Sequence, residues 1–177
     1  MHLVLIALGI LVVMAGAVGI IGAMVPVEHS ASRTALLHAA PDRVWSRLAS
    51  IEAYPTWRKE LAGVEMLPPH NGHPMWREKS RSNSILMEQD EALPNRRMVA
   101  RIADTTLPFG GRWIFELRPE GSETRLTITE EGTVHNIFFR FMSRYVFGYT
   151  ASMDQYLRSL GLSFNEEVSP EDPPAAP

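Results

Sequence analysis

Apolar residues run without interruption at the start of the chain. Residues 3–25 (LVLIALGILVVMAGAVGIIGAMV) include no charged side chain, and Pro26 ends the run just before the polar stretch Glu28-His29-Ser30. As a helix this segment would be about 34 Å long, slightly more than the roughly 30 Å hydrocarbon core of a bilayer. The pattern therefore predicts a transmembrane helix over 3–25 rather than the core helix of a soluble domain.

A cleaved signal peptide is the alternative for this segment. Signal peptides have a basic start and an apolar stretch of about 7–15 residues. Here only Met1 and His2 precede the run, the run is longer, and no clear small-x-small cleavage site follows it. An uncleaved anchor agrees better with these features.

Three small residues recur at a spacing of four within the apolar segment. Ala15, Gly19 and Ala23 would share one face of the helix, and such a face allows two helices to approach closely in lipid. Small residues are also common in membrane spans of any kind. A homodimer contact through this face and an ordinary span both remain open.

Short alternating runs rich in β-forming residues fill the middle of the chain. Turns containing Pro, Asn and Gly separate them, and links this short join antiparallel neighbours. The predicted strands are 31–39, 63–67, 75–81, 85–93, 96–105, 111–118 and 124–133. After the first of them, Pro41 begins a helix whose apolar stripe is formed by Val44, Trp45 and Leu48.

The last apolar pattern has helical spacing and predicts one long helix over 136–162 with Asn136 as its N-cap. One stripe consists of Phe138, Met142, Tyr145, Tyr149, Met153, Tyr156 and Leu160. Arg140, Arg144, Ala151 and Arg158 lie opposite. The sheet is the only large apolar partner for the aromatic stripe, so residues 30–164 are predicted to form an α+β domain.

Composition separates off the end of the chain. Residues 165–177 (NEEVSPEDPPAAP) contain four acids, four prolines and one large aliphatic residue, which predicts a disordered acidic, Pro-rich tail. The chain has a net charge of -3, so the remainder without these four acids carries +1. A nearly neutral domain is not the basic surface of a nucleic-acid-binding protein.

Few catalytic motifs are present. The absence of Cys excludes disulfides, a thiolate nucleophile, iron–sulfur clusters and Cys-based zinc sites. No nucleophile elbow, Walker loop, dinucleotide fingerprint or HExxH occurs, and His70 and His73 alone are too few ligands for a metal. We therefore expect no cofactor and no metal.

Several local stretches, in their order along the chain, resemble the START-like superfamily, the polyketide cyclase/dehydrase and lipid-transport group. They are 41–45 (PDRVW), 54–57 (YPTW), 107–111 (LPFGG), 125–130 (RLTITE) and 156–160 (YLRSL). Members similar to this chain often have Pro after the Asn that opens the last helix, where this chain has Ile137. The resemblance implies a helix-grip fold, in which a curved antiparallel sheet of about seven strands surrounds a long C-terminal helix and leaves a cavity. The transmembrane helix is an addition to that domain.

Strand alternation and the resemblance together predict the cavity lining. The candidate ligand-binding residues are Trp76, Glu78, Met98, Trp113, Phe115, Leu126, Ile128, Glu130, Tyr145, Tyr149 and Met153. Arg101 and Arg112 are candidate partners for Glu130. No catalytic residue is assigned, although Glu78 paired with Glu88 or Glu130 would be the candidates for acid–base chemistry.

The sequence thus predicts a single-pass membrane protein that binds a small hydrophobic or amphipathic ligand, lipid-like or polyketide- or quinone-like, and it leans against an enzyme. Two alternatives stay open, a cyclase/aromatase-like enzyme acting in the same cavity and an interaction module of a membrane complex without a ligand. A short anchor of this kind fits a bacterial inner membrane, and the side on which the domain lies stays open.

Overall fold

The computed structural model describes residues 1–174 and begins with one long apolar helix. This helix, α1 (His2–Met24), has a mean hydropathy of 2.9 over its most apolar 18-residue window and is long and apolar enough to cross a membrane. Only three residues separate it from the first strand, so the helix leads directly into the sheet.

Seven antiparallel strands form one sheet in the order β1-β7-β6-β5-β4-β3-β2. They are β1 (Glu28–Leu37), β2 (Gly63–His70), β3 (His73–Lys79), β4 (Ser84–Leu93), β5 (Arg97–Ile102), β6 (Phe109–Glu120) and β7 (Glu123–Val134). Each strand after β1 pairs with its sequence neighbour, because the connecting turns are tight: Asn71-Gly72, Asn95 and Gly121 take the left-handed conformations that such turns need. The predicted α+β, seven-stranded helix-grip fold is confirmed.

Two short helices follow β1 and cover one end of the sheet. They are α2 (Pro41–Ala49) and α3 (Tyr54–Trp57), joined by a 3₁₀ turn (Ile51–Ala53). Val44 and Leu48 are completely buried, as the apolar stripe predicts.

The predicted long C-terminal helix is wrong in its first half. The structure has α4 (Ile137–Met142), a π-helical turn (Ser143–Phe147) and then α5 (Ala151–Leu162). Gly148 interrupts the helix with a φ of 74°, a conformation that favours glycine. Asn136 does cap α4, since its side-chain oxygen accepts a hydrogen bond from the Phe139 N–H at 3.1 Å.

The core lies between the concave side of the sheet and α5. Met153, Leu157 and Leu160 of α5 are fully buried there, against residues such as Leu126 and Ile128 of β7. The aromatic stripe thus holds for α5, whereas Phe138 and Tyr145, on the other side of the break, are exposed.

Residues 165–174 lie against the domain, which differs from the disordered tail predicted for 165–177. Glu171 pairs with the edge strand β1 through two backbone hydrogen bonds of 2.9 Å with Thr34, and Val168 packs beside Gly161. A prediction from composition takes no account of the free edge of β1. The backbone N–H and C=O groups of that edge can pair with the tail whatever its side chains are. Residues 175–177 of the predicted tail lie outside the described residues.

The small-residue face of α1 meets the same chain. Ala15 and Gly19 line a groove with residues 135–138, and a Cβ on Gly22 would clash with the backbone oxygen of Ile137. Ala23 is exposed. Part of the face predicted as a homodimer contact is therefore turned toward α4.

Candidate functional site

A cavity of about 480 Å³ lies between the concave face of the sheet, α5 and the segment that carries α4. Its walls are mostly apolar. The apolar side chains that line it include Trp76, Ile85, Met87, Met98, Ala100, Ile102, Phe109, Trp113, Phe115, Val134, Phe139 and Phe147. This size and character are typical of small-molecule sites, and the cavity is not the collapsed interior that an interaction module without a ligand would have.

One end of the cavity carries an ion pair. Arg58, directly after α3, donates from Nη1 to Glu78 Oε1 at 2.9 Å and from Nε to Glu60 at 2.8 Å. Trp76 Nε1 donates to the same Glu78 oxygen at 3.1 Å. Burial alone would lower the pKa of Arg58, but Glu78, Tyr156 and Glu60 together outweigh burial and raise the pKa, so Arg58 stays cationic. We call Arg58, Glu78, Tyr54 and Tyr156 the Arg58 end.

Two tyrosines pack on the guanidinium of Arg58, which lies 5.3 Å from the ring centre of Tyr54 and 5.1 Å from that of Tyr156. Tyr54 donates its hydroxyl to the Leu48 carbonyl at 2.7 Å. The Tyr156 hydroxyl is buried and has no hydrogen-bond partner among residues 1–174. Burial raises the pKa of both phenols, with Glu78 adding to the effect at Tyr54, so both stay neutral. The Tyr156 ring lines the cavity, whereas its hydroxyl oxygen is enclosed by protein beside Tyr54.

The opposite wall carries a histidine–carboxylate pair. His29 Nε2 lies 3.0 Å from Glu130 Oε1, and Trp113 Nε1 donates to Glu130 Oε2 at 2.7 Å. The His29 ring stacks on Tyr149 with the ring centres 4.0 Å apart. Gly132 makes room for this ring, because a Cβ there would clash with it. We call these residues the His29 end.

Three strands separate the two polar ends. Glu78 is on β3 and Glu130 on β7, with β4, β5 and β6 between them in the sheet. At roughly 4.8 Å per strand this is about 19 Å measured along the sheet. The cavity therefore presents an apolar middle with a polar group on each side, an arrangement suited to an amphipathic molecule.

The structure brings most of the predicted lining residues together. Those that line the cavity are Trp76, Glu78, Met98, Trp113, Phe115, Glu130 and Tyr149. Leu126, Ile128 and Met153 do not: they are fully buried in the core beneath it. Tyr145 is 59% exposed on the outer surface, because the chain breaks at Gly148 between it and α5.

The partners predicted for the carboxylates are wrong. Arg101 binds Glu88 and Asp90, and Arg112 binds Glu131, so neither reaches Glu130. Glu130 is paired with His29 and Trp113 instead. A Glu78–Glu88 pair is excluded too: Met87 lines the cavity, so the next residue, Glu88, points to the other face of β4. Glu78 and Glu130 lie on opposite walls and form no close pair.

The lining residues that sequence reasoning missed include four at the two polar ends, His29, Tyr54, Arg58 and Tyr156. Tyr156 belongs to the predicted helical stripe, seven residues after Tyr149, so the same spacing could have found it. His29 is the second residue of β1 and Arg58 directly follows α3. At such positions no sequence periodicity predicts where the side chain points. The two histidines of the β2–β3 turn lie elsewhere, with His70 near Glu88 and His73 Nδ1 2.9 Å from the Gln89 carbonyl.

Comparison with known proteins adds a family and a set of structural neighbours. The family model described as polyketide cyclase / dehydrase and lipid transport matches residues 28–160. A START superfamily protein from Mycobacterium smegmatis superposes with a TM-score of 0.64 at 18% identity, covering 77% of this chain and 97% of its own. A search of curated proteins returned no match.

Two enzymes are also among the structural neighbours. An aromatase/cyclase from Streptomyces sp. R1128 superposes with a TM-score of 0.60 at 15% identity, covering 78% of this chain and 94% of its own. Norcoclaurine synthase from Thalictrum flavum has a TM-score of 0.62 at 10% identity, covering 84% and 92%. Identities this low show a shared fold and leave the activity to the residues of the cavity.

Proposed function

This chain belongs to the polyketide cyclase/dehydrase and lipid transport family, and on that premise we propose that it is a membrane-tethered binding protein for a small apolar or amphipathic molecule. The observation that carries the proposal is the cavity of about 480 Å³ with mostly apolar walls. Its apolar middle would hold a hydrophobic body, such as a lipid-like, polyketide-like or quinone-like skeleton.

The polar ends define what the ligand should carry. The cationic guanidinium of Arg58 in the cavity lining favours a hydrogen-bond-accepting oxygen, such as a carbonyl, at that end. The His29–Glu130 pair can donate or accept a proton at the other end. A purely hydrocarbon ligand would form no hydrogen bond with either polar end.

The membrane tether is supported by the way α1 joins the domain. Arg140 Nη1 donates to the Val25 carbonyl at 2.8 Å at the end of α1, and Gly22 is in close contact with Ile137. These contacts favour a retained anchor, because a cleaved signal peptide would not take part in the folded domain. The tether holds the cavity near the bilayer, where apolar molecules concentrate.

The decisive experiment is native mass spectrometry of the full chain, extracted in mild detergent from the membrane of its host, followed by identification of bound molecules. We expect a stoichiometric apolar passenger carrying at least one oxygen. An empty protein that also gains no thermal stability from a panel of lipids and quinones would overturn the proposal, since a ligand present in excess of its Kd stabilises the fold.

A matched pair of variants tests whether the passenger occupies the cavity. Ala100 lines the cavity, so Ala100→Phe should fill it and abolish the passenger. Ala92 is exposed on β4, so Ala92→Phe should retain the passenger. Equal occupancy of the two variants would place the passenger elsewhere.

A second candidate function is enzymatic, and the His29–Glu130 pair favours it. An imidazole held by a carboxylate in a cavity wall can accept and return a proton, the chemistry that a cyclase- or aromatase-like reaction needs. Glu130→Gln keeps the size of the side chain and removes its charge. If the protein is an enzyme, the variant should carry a different passenger from the unmodified chain, its unconverted substrate. If it is a carrier, both should carry the same molecule.

A further inference from the structure

The segment 137–147 exposes an unusual amount of apolar surface. Phe138, Tyr145, Val146 and Phe147 are between 55% and 63% exposed, and Phe139 is 42% exposed. Soluble surfaces seldom present so many large apolar side chains together, and such patches mark a surface that is covered in use. We call residues 137–147 the aromatic segment.

The aromatic segment lies beside α1 at a defined depth. Ile137 touches Gly22, two residues before the end of α1, and Phe138 lines the groove that reaches back to Ala15. At 1.5 Å per residue these contacts lie about 3 to 14 Å from the end of the helix. Helices that lie in the plane of a membrane bury their apolar face about 5–10 Å into the boundary between headgroups and acyl chains. The depth of the contacts therefore matches the outer part of one leaflet.

The charges of this region complement lipid headgroups. Arg140 and Arg144 belong to the aromatic segment, and no Asp or Glu occurs from Gly132 to Met153. Arg144 is exposed, and Arg140 is half-buried with its Nη1 bound to the Val25 carbonyl. Arginine at this depth can reach a phosphate, and tyrosine is enriched at the same level of the membrane.

The aromatic segment also forms part of the cavity wall. Phe139, Ser143, Phe147 and Gly148 line the cavity together with Tyr149. Any surface that covers the aromatic segment is therefore separated from the cavity only by this wall.

We propose that the aromatic segment is embedded in the headgroup–acyl boundary of the leaflet that α1 enters, so that the cavity opens toward lipid and exchanges its ligand with the bilayer laterally. The inference rests on the membrane tether of the proposed function. The occupant of the exposed face is the lipid leaflet itself, because the segment is continuous with the contact surface of α1 and is apolar and basic. Glu28 of β1 lies in the same groove as Arg144 and faces the end of α1.

Fluorescent labels can measure this depth without removing native thiols, because the chain has no Cys. Four full-length variants each carry one label: Val12→Cys in α1, Phe138→Cys and Val146→Cys in the aromatic segment, and Ser122→Cys in the β6–β7 turn. Ser122 is the matched control, since it precedes β7, whose length places it about 40 Å along the strand from Val134, and Val134 donates to the Val27 carbonyl just after α1. The proteins are reconstituted in phosphatidylcholine–phosphatidylglycerol vesicles containing lipids with a doxyl quencher near the headgroup or near the acyl end.

We expect the labels at Phe138 and Val146 to be quenched several-fold more by the shallow doxyl lipid than by aqueous iodide. The label at Val12 should respond to the deep doxyl lipid, and the label at Ser122 only to iodide. If Val12 responds to lipid while Phe138 and Val146 respond to iodide, the tether stands and this inference is overturned. If Val12 also responds only to iodide, the tether itself is refuted. Labels at Phe138 and Val146 that are shielded from both quenchers would show a protein partner or a second copy on this face, which also overturns the inference.

Discussion

The side chain of Tyr156 carries a buried polar group that lowers the stability of the fold. Its hydroxyl is buried without a partner among the residues the structure describes, while Tyr54, on the same guanidinium, donates to Leu48. A buried polar group without a hydrogen bond costs about 1–3 kcal/mol. The hydroxyl oxygen is enclosed by protein, so a ligand in the cavity does not offset this cost.

Substitution of the two tyrosines should therefore have opposite effects on stability. We expect Tyr156→Phe to raise the free energy of unfolding of the empty protein by about 1 kcal/mol, because it removes an unpaired hydroxyl. The occupancy of the native passenger should be unchanged, because the hydroxyl oxygen is not exposed to the cavity. Tyr54→Phe should lower the free energy of unfolding by about 1 kcal/mol, since the Leu48 carbonyl loses its donor. Urea unfolding of the full chain in micelles measures the first quantity, and native mass spectrometry measures occupancy. Equal destabilisation by both variants would contradict the assignment.

Strand alternation predicted the direction of a side chain but not its position along the groove. Trp76, Trp113 and Phe115 were predicted to line the cavity and do so. Leu126 and Ile128 have the same inward direction, yet they lie where β7 packs directly on the core. The difference depends on how far α5 approaches the sheet at each point, a tertiary property with no signature in the local pattern.

At the scale of elements, the contact between α1 and α4 depends on one glycine. A Cβ on Gly22 would clash with the backbone oxygen of Ile137, and a backbone atom has no alternative rotamer. Gly16, also in α1, has open space where its Cβ would be. Both glycines belong to α1, but only Gly22 has a close neighbour. The two positions therefore form a matched pair.

Gly22→Ala should separate α1 from α4 and lower the free energy of unfolding by about 1–3 kcal/mol, the usual cost of overpacking. Gly16→Ala should leave stability unchanged or slightly higher, since Ala favours helix more than Gly. Denaturant titration of both full-length variants in micelles of the same detergent measures the difference. If Gly22→Ala behaves like Gly16→Ala, α1 does not dock on α4 in this environment.

The predicted elements were most accurate where turns punctuate the pattern. All seven strands were found because Asn, Gly and Pro separate the alternating runs. The break at Gly148 was missed because the aromatic spacing continues through it, and a single Gly inside such a stripe is compatible with a helix. The position of residues 165–174 was missed because an edge strand pairs through its backbone, whatever the composition of the partner.

The docking of residues 165–174 can be tested by one small substitution. Val168 is half-buried against Gly161, so Val168→Ala should lower the free energy of unfolding by about 1 kcal/mol. The neighbouring Glu167 is exposed, and Glu167→Gln should have no effect. Thermal unfolding of the two full-length variants would show whether this segment contributes to the fold. No difference between them would indicate that it detaches in solution.

At the scale of the whole molecule, the polar groups of the cavity link global stability to pH. Burial raises the pKa of Tyr54 and Tyr156 in the folded state above the ordinary value of 10.0 that applies when the chain is unfolded. A raised folded-state pKa means that the folded protein holds its proton more tightly, so the stabilisation is fully present below about pH 10. It is lost as the pH rises from there toward the folded-state pKa, because the unfolded chain ionises first.

We therefore expect the full chain to lose stability above about pH 10, by up to roughly 1.4 kcal/mol per pH unit for each buried phenol. Tyrosinate absorbance should show these two groups ionising together with unfolding, whereas exposed tyrosines ionise earlier. The double variant Tyr54→Phe with Tyr156→Phe should flatten the alkaline decline, and Tyr145→Phe, at an exposed position, should not. Urea titrations at a series of pH values measure the decline directly. A decline of the same slope in the double variant would mean that other groups cause alkaline unfolding and that the two phenols are accessible to hydroxide in the folded protein.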